Sequence, residues 1–461
     1  MTNEIEHTSL MAVSPLDGRY ARDTRVLQPY FSEFALLRGR IQVEIEYLLA
    51  LSHELDIVRP LTAAEDAHLR SLVSNFSAAD AAQIKEIEKT TRHDVKSVEY
   101  FLRSKLQGSS LEDVVEWLHF GLTSEDVNLI AQASALREAC NAVLVPALDG
   151  ITARLAGLAR THKSLVILGR THGQAAVPTT LGKEFAVFLT RLKRQRNKLA
   201  EHRFETKLAG AVGNFNALVA AYPEIDWIAF SQKFIRYFRL EPNLLATQLI
   251  PYDNWVVFFN ELRLANTILI DLAQDVWRYI SDDYIKSRVV AGEVGSSTMP
   301  QKVNPIDFEN AEGNLGTANA MLDYYAQKMP ISRLQRDLSD STVRRTFGVA
   351  LGHSLLAYIN MARGLDRLDA NEERICADLE HSWVVVAEGA QTILRAAGVR
   401  DAYETLKSLT RGRAISQEDY LAWIDPLAVD ENVKARLRRL TPSNYIGLAE
   451  HLVEYSLNSD L

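Results

Sequence analysis

The stretch YDNWVVFFNELRLANTILIDLAQDVWRYI, residues 252–280, decides the fold class. Its apolar residues Trp255, Phe258, Phe259, Leu262, Ala265, Leu269, Leu272, Val276 and Ile280 return at steps of three and four. That period stacks side chains along one face of an α-helix. No glycine or proline interrupts the chain between Tyr252 and Ala291. The spacing predicts one helix of about ten turns, on the order of 50 Å long, more than a compact single-core domain usually holds.

The same reading extends outward. Glycine and proline are also missing between Lys183 and Ala209, where the run RLKRQRNKL, residues 191–199, is strongly basic. Charge runs usually face water, so this one reads as a solvated helix face ahead of an anion site. Helical patterns cover Ser124–Val145, Ile306–Lys328 and Ser341–Arg367, and strand-type alternation is scarce, the best case being Leu165-Val-Ile-Leu168. The chain is therefore predicted to be all-α, a long central helical bundle with smaller helical domains at each end. The boundaries are placed at 1–115, 116–368 and 369–461. The last cut rests on the shift to short helices broken by Pro426 and Pro442, and the first on where the long helices begin.

Composition narrows the function. At 461 residues the chain can bury a large core, and 47% hydrophobic with 24% charged residues is ordinary globular composition. A formal net charge of -8 argues against nucleic acid or a membrane surface as partner, since both need an accumulated positive field. Cys140 and Cys376 are far apart and form no C-x-x-C pair, which points to a reducing compartment and away from disulfides or a thiolate metal site. The N-terminal residues are acidic where a signal peptide is basic, and no apolar run approaches the roughly 18 residues that cross a bilayer. A cytoplasmic chain is expected.

One segment carries chemistry: AGEVGSSTMPQKVNP, residues 291–305, directly after the long helix. Glycine, serine and proline make a mobile loop, and Ser, Lys and Asn can hold an anion, although composition alone fits a surface connector equally well. The run Gly295–Pro305 resembles the signature loop of the fumarase/aspartase superfamily, whose members share a homotetrameric helical fold and release fumarate by elimination. Gly169-Arg-Thr-His-Gly-Gln174 and Thr123-Ser-Glu-Asp126 resemble the adenylosuccinate lyase family within it. So do Asp17-Gly-Arg-Tyr20, Thr91-Arg-His-Asp94, Ser341-Thr-Val-Arg-Arg345 and Thr410-Arg-Gly-Arg413. Gln301 departs from the His or Tyr more common in that family and matches argininosuccinate lyases. A sibling lyase with another leaving group is the nearest rival. A structural protein derived from the fold would have lost Ser296, Lys302 or His172, and all three are present.

The resemblance implies roles. Elimination of fumarate from a succinylated purine nucleotide needs a base, charge stabilisation on the enolised carboxylate, and an acid for the leaving nitrogen. Ser296 is the implied base, acting as an alkoxide helped by Lys302 and backbone N–H groups. His172 is the implied general acid, since histidine alone titrates near neutral pH unperturbed, and Glu309 is its orienting carboxylate. Ser297 and Asn304, with Thr123 and Ser124, are implied to hold the succinyl carboxylates. Arg19, Tyr20, Arg336, Ser341, Thr342 and Arg345 form the implied nucleotide-binding set, where guanidinium forks suit phosphate. Gln248 is implied to hold the base or ribose, and Arg92, His93 and Asp94 to lie against substrate. Arg344, beside Arg345, is expected to point elsewhere. The histidine spacings do not make a helical metal pair and no glycine-rich phosphate loop is present, so neither metal nor cofactor is expected. The expected partner is a small-molecule nucleotide, bound by a homotetramer whose sites are shared between subunits.

Overall fold

The computed structural model describes residues 10–288, 299, 302–410 and 415–459. The expected base Ser296, with Ser297 and Gln301 of the same loop, lies outside the described residues, as do Arg411–Arg413. The chain is 67% helical, and its described strands form three two-stranded ribbons. The helices that position the site are α1 (Glu33–His53), α2 (Asp94–Leu106), α3 (Ser124–Ala139), α4 (Val145–Thr161), α5 (Leu181–Glu201), α6 (Asp253–Ser281), α7 (Ile306–Lys328), α8 (Ser339–Arg344) and α9 (Phe347–Leu365).

Helix α6 is the fold-deciding stretch, at 29 residues. It is shorter than its glycine-free sequence allowed. Asp283 turns left-handed at φ 61°, while the N–H of Tyr284 reaches the carbonyl of Tyr279 and that of Asp283 the carbonyl of Ile280. This is the paired bonding that caps a helix C-terminus, with aspartate standing where glycine is usual. The chain then enters a short strand, Ile285–Ser287, paired antiparallel with Leu368–Ala370.

Two other helix expectations are corrected. The pattern read as ending at Val145 continues to Thr161, because a π turn at Cys140–Leu144 joins α3 to α4 just ahead of Pro146. The pattern read as one helix over Ser341–Arg367 is two. The Thr346 hydroxyl donates to the Val343 carbonyl at 2.7 Å, and this side-chain competition for backbone partners breaks the run between α8 and α9. One described helix, Ser124–Thr161, is long and apolar enough by length and composition to cross a membrane, although Glu138, Asp149 and Arg154 interrupt its apolar run. Core helices pass the same test.

The chain divides into two compact units. The first comprises 1–147, 195–267 and 314–359. Its core includes buried Trp255, Phe258 and Phe259 of α6. Phe259 packs against Tyr325 and Phe347 at ring distances of 5.4 and 5.0 Å. The second comprises 148–194, 268–313 and 360–461. It buries Leu148, Ile151 and Leu155 with Leu272, Val276 and Phe308, and holds a hairpin of β1 (Val166–Thr171) and β2 (Gln174–Thr180). The basic run of α5 does not simply face water. Lys198 pairs with Glu261 at 3.0 Å in the first unit, and Arg191 with Asp271 at 2.6 Å in the second.

Candidate active site

In the first unit the expected substrate residues cluster around the N-terminus of α3. Thr123 precedes the helix in extended conformation, and its N–H donates to the Asp126 carboxylate at 2.9 Å. Glu125 and Asp126 follow Ser124, and both carboxylates are buried. Glu125 accepts from Asn128 Nδ2 at 2.9 Å and from Arg344 at 2.8 Å, and pairs with Arg336 at 2.9 Å. Burial pushes the Glu125 carboxyl up, but the Arg344 and Arg336 guanidiniums outweigh it and hold the group below the usual carboxylate range. Arg336 also donates to Gln248 Oε1 at 2.6 Å, and Gln248 Nε2 donates to the Ala211 carbonyl at 3.0 Å. The sequence therefore reaches from Thr123 and Ser124 to Arg336 and Gln248 through one buried carboxylate to which it assigned no role.

Asp126 is fixed more completely. Oδ1 accepts from Lys207 Nζ at 2.7 Å and Ala209 N at 3.0 Å, and Oδ2 from Thr123 N at 2.9 Å and Gly210 N at 3.1 Å. Lys207 and Asp126 are both 0% exposed. The loop after Lys207 must bend sharply. Gly213 sits at φ +82°, where an added Cβ would fall 2.1 Å from the Ala246 carbonyl.

A second group gathers at the start of α2. Arg92 ends the preceding helix in left-handed conformation at φ 50°, and His93 caps α2 by accepting the N–H of Lys96 on Nδ1 at 3.2 Å. That leaves Nε2 as the donor of the exposed ring. Asp94 binds buried Arg40 at 2.6 Å and lies 3.5 Å from Arg345. Burial pushes the Asp94 carboxyl up, yet Arg40 and Arg345 hold it below its ordinary range. Arg345 is exposed and lines a cavity of about 740 Å³ with Asp17, Arg25 and Arg38. Its neighbour Arg344 turns inward as expected, to Glu125, Asp340 at 3.0 Å and Gln132 at 2.6 Å. Ser341 and Thr342 lie on α8 between the two ends of this set. Arg19 stacks its guanidinium over the Tyr20 ring at 5.7 Å.

In the second unit His172 and Gly173 are the two residues between β1 and β2. Their φ values, 52° and 74°, are both positive, as the tight two-residue hairpin turn demands. Histidine tolerates that region better than most residues, and glycine adopts it freely. The imidazole is thereby held at an exposed tip. Glu309 is also exposed, in the first turn of α7, and accepts from Trp277 Nε1 at 3.2 Å. Within one chain no hydrogen bond joins His172 to Glu309 among the described residues. Lys302 is exposed and Asn304 half-buried just before α7. The sequence placed Glu125 and Asp126 in a motif without assigning them a role, and it did not single out Lys207 or Trp277. The spacing Thr123-x-x-Asp126 is a helix-capping pattern that could have found Asp126. Lys207 and Trp277 belong to no local pattern.

Known proteins resemble this chain over nearly its whole length. Residues 18–321 match the lyase family and residues 332–446 the adenylosuccinate lyase C-terminal family. The adenylosuccinate lyase of Haemophilus influenzae is 46% identical over 450 residues, 97% of this chain and 99% of that protein. That of Dictyostelium discoideum is 48% identical over 462 residues, covering 97% and 98%. A fumarate lyase from Mesorhizobium shares the fold at a TM-score of 0.75 and 18% identity, over 94% of this chain and 98% of its own. With both families matched in order and nearly the whole length aligned at such identity, the chain belongs to the adenylosuccinate lyase family.

Proposed function

We propose that the protein cleaves adenylosuccinate to AMP and fumarate, and succinylaminoimidazole carboxamide ribotide to its amide and fumarate, without metal or cofactor. The carrying observation is the bonded path from the Thr123–Ser124 turn through Glu125 to Arg336 and Gln248. It supports one substrate with a succinyl group at one end and a nucleotide at the other. In the reaction Ser296 removes the proton beside one succinyl carboxylate. The electron pair of that C–H bond forms the fumarate double bond as the neighbouring C–N bond breaks, and His172 protonates the departing nitrogen. Thr123, Ser124, Ser297 and Asn304 hold the carboxylates, and Lys302 supports the Ser296 alkoxide. Arg19, Tyr20, Ser341, Thr342 and Arg345 take the phosphate, and Arg92, His93 and Asp94 line the substrate.

The working form is a cytoplasmic homotetramer with sites shared between subunits. Two features support sharing: His172 stands on an exposed tip, and its intended orienting group Glu309 is exposed on another element. The test is purified protein with each purine substrate, followed by ultraviolet absorbance and fumarate release. Fumarate from argininosuccinate, with none from either purine substrate, overturns the proposal.

A further inference from the structure

Two carboxylates, Glu125 and Asp126, are buried directly behind a turn that is to receive a dianion. Left uncompensated they would repel it. Glu125 is balanced by Arg344 and Arg336. Among the described residues Asp126 has one ion-pair partner, Lys207, at 2.7 Å, and neither side chain is exposed to solvent. A capping acid needs only the Thr123 N–H. Asp126 takes three further donors, all from the segment 207–210, and together the four fill the acceptor capacity of a carboxylate. Lys207 Nζ turns its second bond to the Gly210 carbonyl at 2.9 Å, locking the same segment. The following residue, Ala211, carries the carbonyl that holds Gln248. Asp126 and Glu125 thus join the succinyl-binding turn to the nucleotide-binding side chains as one bonded ring.

We infer that Lys207 and Asp126 are positioning residues for the succinyl half of the substrate. Lys207 cancels the Asp126 charge so that a dicarboxylate can settle at Thr123 and Ser124, and Asp126 fixes the turn. This rests on the proposed role of Thr123 and Ser124.

The experiment measures inhibition constants for fumarate and for AMP, with kcat and KM, in wild type, Lys207→Met, Lys207→Met/Asp126→Asn and Thr123→Ala. Lys207→Met leaves an uncompensated negative charge behind the turn. It should weaken fumarate by about 10–100-fold, as for like charges several ångströms apart at an effective dielectric constant of about 20, and AMP far less. The neutral double variant should recover most of the fumarate binding. Equal weakening of both ligands, or no recovery in the double variant, overturns the inference. If Lys207→Met does not fold, Asp126→Asn carries the test with the sign reversed: its unpaired ammonium should tighten fumarate relative to AMP, and the opposite result refutes the role. Unchanged fumarate binding in Thr123→Ala sinks the underlying reading of the turn. Weakened binding there, with Lys207→Met at wild-type values, sinks this inference alone.

Discussion

Arg344 and Arg345 are adjacent in sequence and should fail in opposite ways when each is replaced by methionine. Arg344 is 5% exposed, and its guanidinium lies 2.8 Å from Glu125 and 3.0 Å from Asp340, two carboxylates that are themselves buried. Tyr252 gives Asp340 a further hydrogen bond at 3.0 Å, and Arg336 remains on Glu125. Arg344→Met therefore strands buried negative charge that its remaining partners satisfy only partly. Breaking such a pair from one side costs about 3–5 kcal/mol. At about 2 °C per kcal/mol for a large chain, the midpoint should fall by about 6–10 °C. The Arg345 side chain is 47% exposed, and its contacts to Glu33 and Asp94 are 3.2 and 3.5 Å. Exposed pairs contribute about 0–1 kcal/mol, so Arg345→Met should leave the midpoint within about 2 °C. It should instead raise KM by about 10–150-fold, the loss of a charge-assisted bond of about 1.5–3 kcal/mol to phosphate. Differential scanning at one scan rate and steady-state kinetics on adenylosuccinate supply both axes. Equal destabilisation by the two substitutions, or a larger KM effect at Arg344 than at Arg345 in the folded fraction, refutes the reasoning.

Three further outcomes are expected. His172→Ala and Ser296→Ala should each lose about 10²–10⁴ in turnover, and mixing the two inactive proteins under subunit exchange should restore both groups in roughly a quarter of sites if subunits share them; hybrids no more active than the parents refute sharing. Burial pushes His119 down, but Glu44 at 2.6 Å, with Glu99 and Asp126 nearby, more than reverses this and raises it above 6.5. Its pairing is then fully present below about pH 6.5 and is lost as pH rises through the higher folded value, so the melting advantage of wild type over His119→Gln should shrink from pH 6 to 9, and a constant difference would show that the pair does not titrate as argued. Trp277→Phe removes the indole bond to Glu309 and should lower kcat by about 10–150-fold, the loss of one hydrogen bond of about 1.5–3 kcal/mol to a charged group, with KM nearly unchanged; an unaltered kcat and pH–rate profile would remove Trp277 from that role.

The three- and four-residue return of apolar side chains in α6, with no glycine or proline to break it, made the helix legible in sequence, because helix periodicity is a local property. The hairpin was only half legible. Leu165–Leu168 hinted at a strand, but the turn lies inside the His172 signature, and a His-Gly pair is not the usual mark of a tight turn. The expected nucleotide and succinyl residues were named from sequence motifs, and the inward turn of Arg344 was anticipated beside Arg345.

By itself the sequence determined the helical class, the motif residues and the family they resemble, all of which depend on order along one chain. Tertiary structure decided the rest. Arg344 meets Glu125 across a separation of 219 residues, and Lys207 meets Asp126 across 81. Which cation balances which buried acid is set by how distant segments pack, because charge compensation in a low-dielectric interior depends on distance in space and leaves no period in the sequence.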